Sequence, residues 1–147
     1  MPSLTPRSRP PARAPTNLNG MTGSGLDRAM LANLDETVEV DMVTPRRDGS
    51  LSSRPIWVVV VDGDAYVRSY RGESGAWYRR ARTDGLATIG VDGREIEVGV
   101  EPVSDEETNR KVSGAFRAKY GERSPGPTET MVNDDVSRTT LRLAQSN

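Results

Sequence analysis

At 147 residues the chain is long enough for one domain with a real core and too short for two ordinary ones. It contains no histidine and no cysteine, which excludes Ser-His-Asp and Cys-His nucleophile systems, thiolate metal sites, imidazole acid/base chemistry and a disulfide scaffold. The net charge is −1, but Arg7, Arg9 and Arg13 stand without an acid in the first twenty residues, leaving 17 basic and 21 acidic groups in the rest. That balance argues against a nucleic-acid or anionic-membrane surface.

In chain order, residues 1–20 hold five prolines and too few apolar side chains to offset the entropy of ordering, so they read as a disordered arm. No apolar central stretch of a secretory signal is present there. Met21 is a candidate translation start, and the alternative is a transit or tethering arm. Residues 21–147 are expected to form one domain, placed in the cytoplasm. Ser24 can cap a short helix whose Leu26, Met30, Leu31 and Leu34 form one apolar stripe. Residues 37–44 alternate in the manner of a half-buried strand, and a turn follows at residues 46–49.

Residues 54–61 are apolar on both faces and predict a central strand. At six residues, the apolar run 56–61 is far too short to span a membrane. Asp62-Gly63 is a strong hairpin signal, so residues 65–70 should return antiparallel. Gly72 and Gly75 bracket a loop, and residues 76–82 predict a short helix. Strands resume at 86–91 and 94–103, joined by Asp92-Gly93. Ser104 and Glu107 form a capping box for a helix reaching Tyr120, which Gly121 ends. Pro125-Gly126-Pro127 reads as a rigid connector and residues 139–143 as a final strand. Six strands linked by tight turns predict a mainly β fold, a small antiparallel barrel with flanking helices. No period of 20 to 50 residues repeats.

Trp57, Tyr66, Tyr70, Trp77 and Tyr78 fall within 22 positions, interleaved with Arg68, Arg79 and Arg80. This combines an anion-binding residue type with flat stacking surface. Arginine outnumbers lysine eighteen to two, so Arg68, Arg79 and Arg80 read either as phosphate contacts or as surface or interface ion pairs. Trp57 reads as core or as pocket wall, and Trp77 lies at a loop-to-helix junction where pockets form. The acidic clusters at Asp105-Glu106-Glu107 and Asp134-Asp135 lack ligand-like spacing and read as solvated helix ends. No metal site is expected. The glycine-rich residues 20–25 follow no strand and lack a GK[ST] ending, so they are no phosphate loop.

The runs Arg54-Pro55-Ile56-Trp57-Val58-Val59, Asp62-Gly63-Asp64-Ala65-Tyr66-Val67-Arg68-Ser69 and Gly75-Ala76-Trp77-Tyr78-Arg79-Arg80 resemble the FMN-binding split-barrel superfamily. Within it they are most similar to deazaflavin-dependent nitroreductases and a neighbouring uncharacterised family of short domains. The resemblance spans roughly residues 35–120. It implies a six-stranded split barrel, usually a homodimer, holding FMN or a 5-deazaflavin. Arg68 and Ser69 would meet the phosphate or ribityl side, Ser74 and Gly75 would pass backbone N–H groups over it, and the helix from Ala76 would aim its positive end there. Trp77 and Tyr78 match the family's Ala-Trp-Tyr element, followed by Arg79 or Arg80. A lysine common near the helix start in FMN-type members has no counterpart, and Gly75 replaces the proline of deazaflavin members.

The implied activity is hydride transfer to a small unsaturated or nitro-aromatic substrate, with Tyr78 or Tyr70 as proton donor. The alternative is a non-catalytic split-barrel module acting through its pocket or dimer surface. A nucleic-acid-binding barrel is disfavoured by the acidic balance.

Overall fold

The computed structural model describes residues 26–145. The expected arm, Met21 and the Ser24 cap lie outside them. Seven strands form one antiparallel sheet: β1 (Val40–Pro45), β2 (Leu51–Ile56), β3 (Val59–Val61), β4 (Asp64–Val67), β5 (Leu86–Val91), β6 (Arg94–Pro102) and β7 (Leu141–Gln145). Their spatial order is β2-β1-β5-β6-β7-β4-β3. The two edge strands, β2 and β3, are therefore separated in the chain by Trp57 and Val58 alone. A flat seven-stranded sheet would hold its edges almost 30 Å apart at about 4.8 Å per step, whereas three residues of extended chain reach only about 11 Å. The sheet must curl until its edges meet, which makes a split barrel.

This closure explains the departure from the expected count of six strands. The apolar run 54–61, read as one central strand, is two edge strands with a break between them. Pro55 is tolerated in β2 because an edge strand can spare an N–H. At the break, Val58 leaves the ladder, and its amide donates to the Tyr120 hydroxyl at 3.3 Å while its carbonyl accepts from Lys119 Nζ at 2.7 Å. The hairpins behave as their residues dictate. Asp62 and Gly63, and Asp92 and Gly93, all have positive φ, the two-residue turn whose twist matches that of the strands.

Five helices and one 3-10 turn complete the fold: α1 (Arg28–Glu36), the 3-10 turn (Gly72–Ser74), α2 (Ala76–Asp84), α3 (Glu106–Tyr120), α4 (Pro125–Met131) and α5 (Asp134–Ser137). Asp27 caps α1, its side chain accepting from the Met30 amide. In α3 the cap is Asp105 in place of the expected Ser104, because its carboxylate reaches both the amide and the hydroxyl of Thr108. The Pro-Gly-Pro segment is the first turn of α4, with proline where the missing N–H costs nothing. Asp134 and Asp135 open α5, where acid complements the positive helix end.

Two cores result. One fills the curled sheet with Met42, Val67, Ile89, Val98, Leu141 and Leu143, closed by Met30 and Leu34 of α1 and by Trp77, Tyr78 and Ala81 of α2. The other lies outside the barrel, where Val112, Phe116 and Tyr120 of α3 with Met131 and Val136 cover Val59 and Tyr66. Among the described residues no helix is long and apolar enough to cross a membrane.

Candidate functional site

The chain leaving β4 turns through the 3-10 turn into α2, and this corner faces the end of β2 and one side of α4. Between them lies a cleft of about 430 Å³, within the range of about 300–1,000 Å³ usual for small-molecule sites. Its lining brings together Trp57, Arg68, Ser69, Tyr70, Ser74, Gly75, Ala76 and Trp77 of the residues expected from sequence. Glu39, Arg54, Pro55, Ile56, Arg71, Pro127 and Met131 complete it.

The start of α2, where Ala76 and Trp77 join the lining, carries an unsatisfied donor set. Gly75 caps α2 with no side-chain hydrogen bond. The amides of Ala76, Trp77 and Tyr78, the first three of the helix, meet no carbonyl among the described residues, the ladder beginning with Arg79 donating to the Gly75 carbonyl at 3.1 Å. Beside them the Ser69 side chain is 1% exposed and its hydroxyl has no partner among the described residues. A Cβ placed on Gly75 would collide with that hydroxyl oxygen, so Ser69 points at the helix cap and only glycine leaves the approach open. A buried polar atom without a partner is costly; Asn109 Oδ1 and Thr128 Oγ1 share that state among the described residues, but Ser69 is the one of the three residues that lines the cleft.

Arg68 is placed differently from the phosphate fork implied by the resemblance. Its guanidinium is buried and turned into the protein, donating from Nε to Thr140 Oγ1 at 2.8 Å, from Nη1 to Ser113 Oγ and the Met131 carbonyl at 2.9 Å each, and from Nη2 to the Asn109 carbonyl at 2.9 Å. It also lies 5.5 Å from the centre of the Phe116 ring. Four of its five N–H donors are thus committed internally. None of the acceptors is a carboxylate, and among the described residues no ion pair includes Arg68. Burial, helped by the like charge of Arg117, pulls its pKa down to about 10, so it stays charged at neutral pH. The cleft wall therefore holds a positive charge with no negative partner among the described residues, and Arg54 and Arg71 stand at the rim against the acid Glu39.

Trp57 is half-buried and stacked on Tyr120 with ring centres 3.9 Å apart and planes within 1°, so it serves as core and cleft wall at once. Trp77 is buried, its ring edge-on to Tyr78. Ser74 donates to the Arg71 carbonyl at 3.0 Å, which tightens the turn. Tyr70 is exposed at the rim.

Tyr78, Arg79 and Arg80 are not brought to the lining. Successive helical residues rotate by about 100°, and this sends Tyr78 into the barrel core, where its hydroxyl accepts from Arg82 at 3.2 Å. Arg80 donates to Thr44 Oγ1 at 2.9 Å on the side of β1, and Arg79 is exposed.

Sequence reasoning missed Glu39, Arg54, Arg71, Pro127 and Met131 as lining residues. Arg54 and Arg71 flank the aromatic cluster and could have been found from it. Pro127 and Met131 gave no signal, since α4 reaches the cleft only through the tertiary fold.

Residues 30–143 match the family described as "Uncharacterized protein conserved in bacteria (DUF2255)". The chain is a DUF2255 protein. No curated protein sequence matches it. Among solved structures, this DUF2255 chain is similar to HutZ, the heme storage protein of Vibrio cholerae, at 12% identity and a TM-score of 0.59, covering 84% of this chain and 92% of that one. A putative pyridoxamine 5'-phosphate oxidase from Listeria innocua aligns at 14% identity and a TM-score of 0.57, covering 81% and 92%. An F420-H2 dependent reductase aligns at 15% and 0.52, covering 83% and 99%. At these identities the likeness establishes the split-barrel fold.

Proposed function

We propose that the cleft binds FMN or a 5-deazaflavin and that the loaded protein is an oxidoreductase acting on a small unsaturated or nitro-aromatic substrate. The observation that carries this reading is the unpartnered, buried Ser69 hydroxyl beside three free amides at the start of α2, in a cleft walled by Trp57 and Trp77. The donor set fits a phosphate: the amides of Ala76, Trp77 and Tyr78 hold the anion, Ser69 donates to it, and Gly75 permits the close approach. Arg68 contributes a fixed positive charge from behind while keeping its hydrogen bonds to the protein. The indole walls orient a flat ring and exclude water from it.

When bound, a flavin or deazaflavin supplies two-electron hydride chemistry, which no side chain of this chain can supply. Tyr70, the only phenol in the lining, is the residue placed to give a proton to the substrate at the cleft mouth. The reductase and oxidase among the structural neighbours are in keeping with this assignment.

A homodimer belongs to the same reading. The face of β2, β1 and β5 turned away from the core presents Leu51 and Leu86, 64% and 43% exposed among the described residues, so a second copy is the partner assigned to it.

Titration of the purified protein with FMN, and separately with a 5-deazaflavin, tests the assignment through quenching of ligand fluorescence. Saturable quenching at micromolar concentration is expected, with a dimer mass by analytical ultracentrifugation. Absence of quenching by both ligands at a hundredfold higher concentration would remove the cofactor from the proposal and leave a non-catalytic binding module.

A further inference from the structure

Trp57 stands at the point where the chain crosses from one sheet edge to the other, and no ladder holds it. Its last ladder neighbour is Ile56, paired with Val40, and pairing resumes only at Val59 with Tyr66. A residue at such a break is free to reorient unless something outside the sheet fixes it. Tyr120, the last residue of α3, is what fixes it here. Its hydroxyl donates to the Val38 carbonyl at 2.6 Å, with the Val58 carbonyl at 3.2 Å, and accepts from the Val58 amide. Its ring lies flat on the Trp57 indole. One side chain thus sets both the backbone beside Trp57 and the plane of the ring. Tyr120 itself is held rigidly, 1% exposed, against Phe116 with ring centres 6.1 Å apart.

We infer that Tyr120 is a positioning residue for the cleft, acting through Trp57 to hold the indole wall in one orientation for a flat ring. The inference rests on the proposed ligand reading for its affinity test, but the orientation of Trp57 can be measured without any ligand. Tyr120 is not itself among the lining residues and meets the lining through Trp57, so its effect on binding passes through that neighbour. It acts on the ring wall and leaves the anion cradle of Ser69, Gly75 and the α2 amides unaltered.

The test uses the full chain carrying Trp77→Phe, which leaves Trp57 as the one tryptophan, with Tyr120→Phe or Tyr120→Leu added. Acrylamide quenching reads the shielding of Trp57, and thermal unfolding monitored by circular dichroism verifies that each variant is folded at the assay temperature. Tyr120→Leu is expected to raise the quenching constant about twofold and to weaken riboflavin and FMN equally, about tenfold each, as expected for loss of a stacked pair. Tyr120→Phe, which keeps the stack and loses the hydroxyl clamp, is expected to retain the shielding and to lose about threefold in affinity. Equal factors for riboflavin and FMN separate a ring effect from general loosening, which would harm the phosphate cradle and weaken FMN more. Unchanged quenching and unchanged affinity in folded Tyr120→Leu would overturn the inference. So would Tyr120→Phe behaving like Tyr120→Leu. If the parent binds neither ligand, the cofactor proposal fails, and the quenching result alone then decides for or against the positioning role.

Discussion

Arg68 and Ser69 are neighbours in the chain, equally buried, and opposite in how their polar atoms are treated. Arg68 spends four donors on acceptors from α3, α4 and the residue before β7, tying the outer helices to the barrel. Ser69 accepts nothing and donates nothing through its hydroxyl, although its amide is satisfied by Thr139 Oγ1 at 2.8 Å. The fold satisfies one residue thoroughly and leaves the next unsatisfied, and on the proposed reading this separates a structural post from a binding group. The lesson is that a basic residue in a cleft wall can have its donors committed to the protein, while the group beside it keeps its hydroxyl unpaired.

The largest effect expected from breaking this contrast is on stability. Arg68→Met would leave the Ser113 and Thr140 hydroxyls and the Met131 and Asn109 carbonyls short of a donor, at a cost of about 3–5 kcal/mol in urea unfolding. A loss below about 1 kcal/mol would mean that the post carries no load. Next, Gly75→Ala drives a methyl group into the Ser69 hydroxyl. It should cost about 1–3 kcal/mol of stability, the usual range for forced overpacking, and abolish any preference for FMN over riboflavin. Ser69→Ala should do the reverse of Arg68→Met. Stability stays within about 0.5 kcal/mol of the parent, since no bond is lost, while FMN affinity falls about tenfold, or about 1.4 kcal/mol.

A pH-dependent effect concerns the break between β2 and β3. Lys119 donates to the Leu34 and Val58 carbonyls, and burial pulls its pKa down to about 8 from 10.5, against the attraction of Asp35. The unfolded chain holds that proton more tightly, so the group's contribution to stability is complete above about pH 10.5 and is lost as pH falls through 8. Lys119→Met removes this titration. The urea midpoint of the parent, relative to the variant, should therefore rise between pH 8 and 10, and a flat or falling difference would contradict the burial of this amine.

What was legible in the residues was mostly local. The Asp-Gly turns at 62–63 and 92–93 and the alternation in β1 and β6 state their own geometry, because backbone chirality and side-chain period act within a few residues. The break at Trp57 and Val58 was not legible, because the partners that make it tolerable, Lys119 and Tyr120, lie some sixty residues away. The helix hidden in Pro125-Gly126-Pro127 was missed because proline stops a helix from within yet starts one at its first position. For the site, the contiguous stretch from Arg68 to Trp77 could be picked out as a corner with donors and aromatics. The orientation of Arg68 could not, since all four of its acceptors come from residues 109–140. The resemblance to an Ala-Trp-Tyr element groups Tyr78, Arg79 and Arg80 with the cleft, and helical rotation carries their side chains away from its lining.

The account stands on the claim that the Ser69 hydroxyl and the α2 amides form an anion cradle next to aromatic walls. The most direct measurement is the ratio of the riboflavin and FMN dissociation constants for the parent protein, taken with and without inorganic phosphate as competitor. The account predicts FMN at least about tenfold tighter than riboflavin, with phosphate displacing FMN and leaving riboflavin bound, because only the phosphate ester meets the cradle. Equal constants for the two ligands, untouched by phosphate, would contradict it.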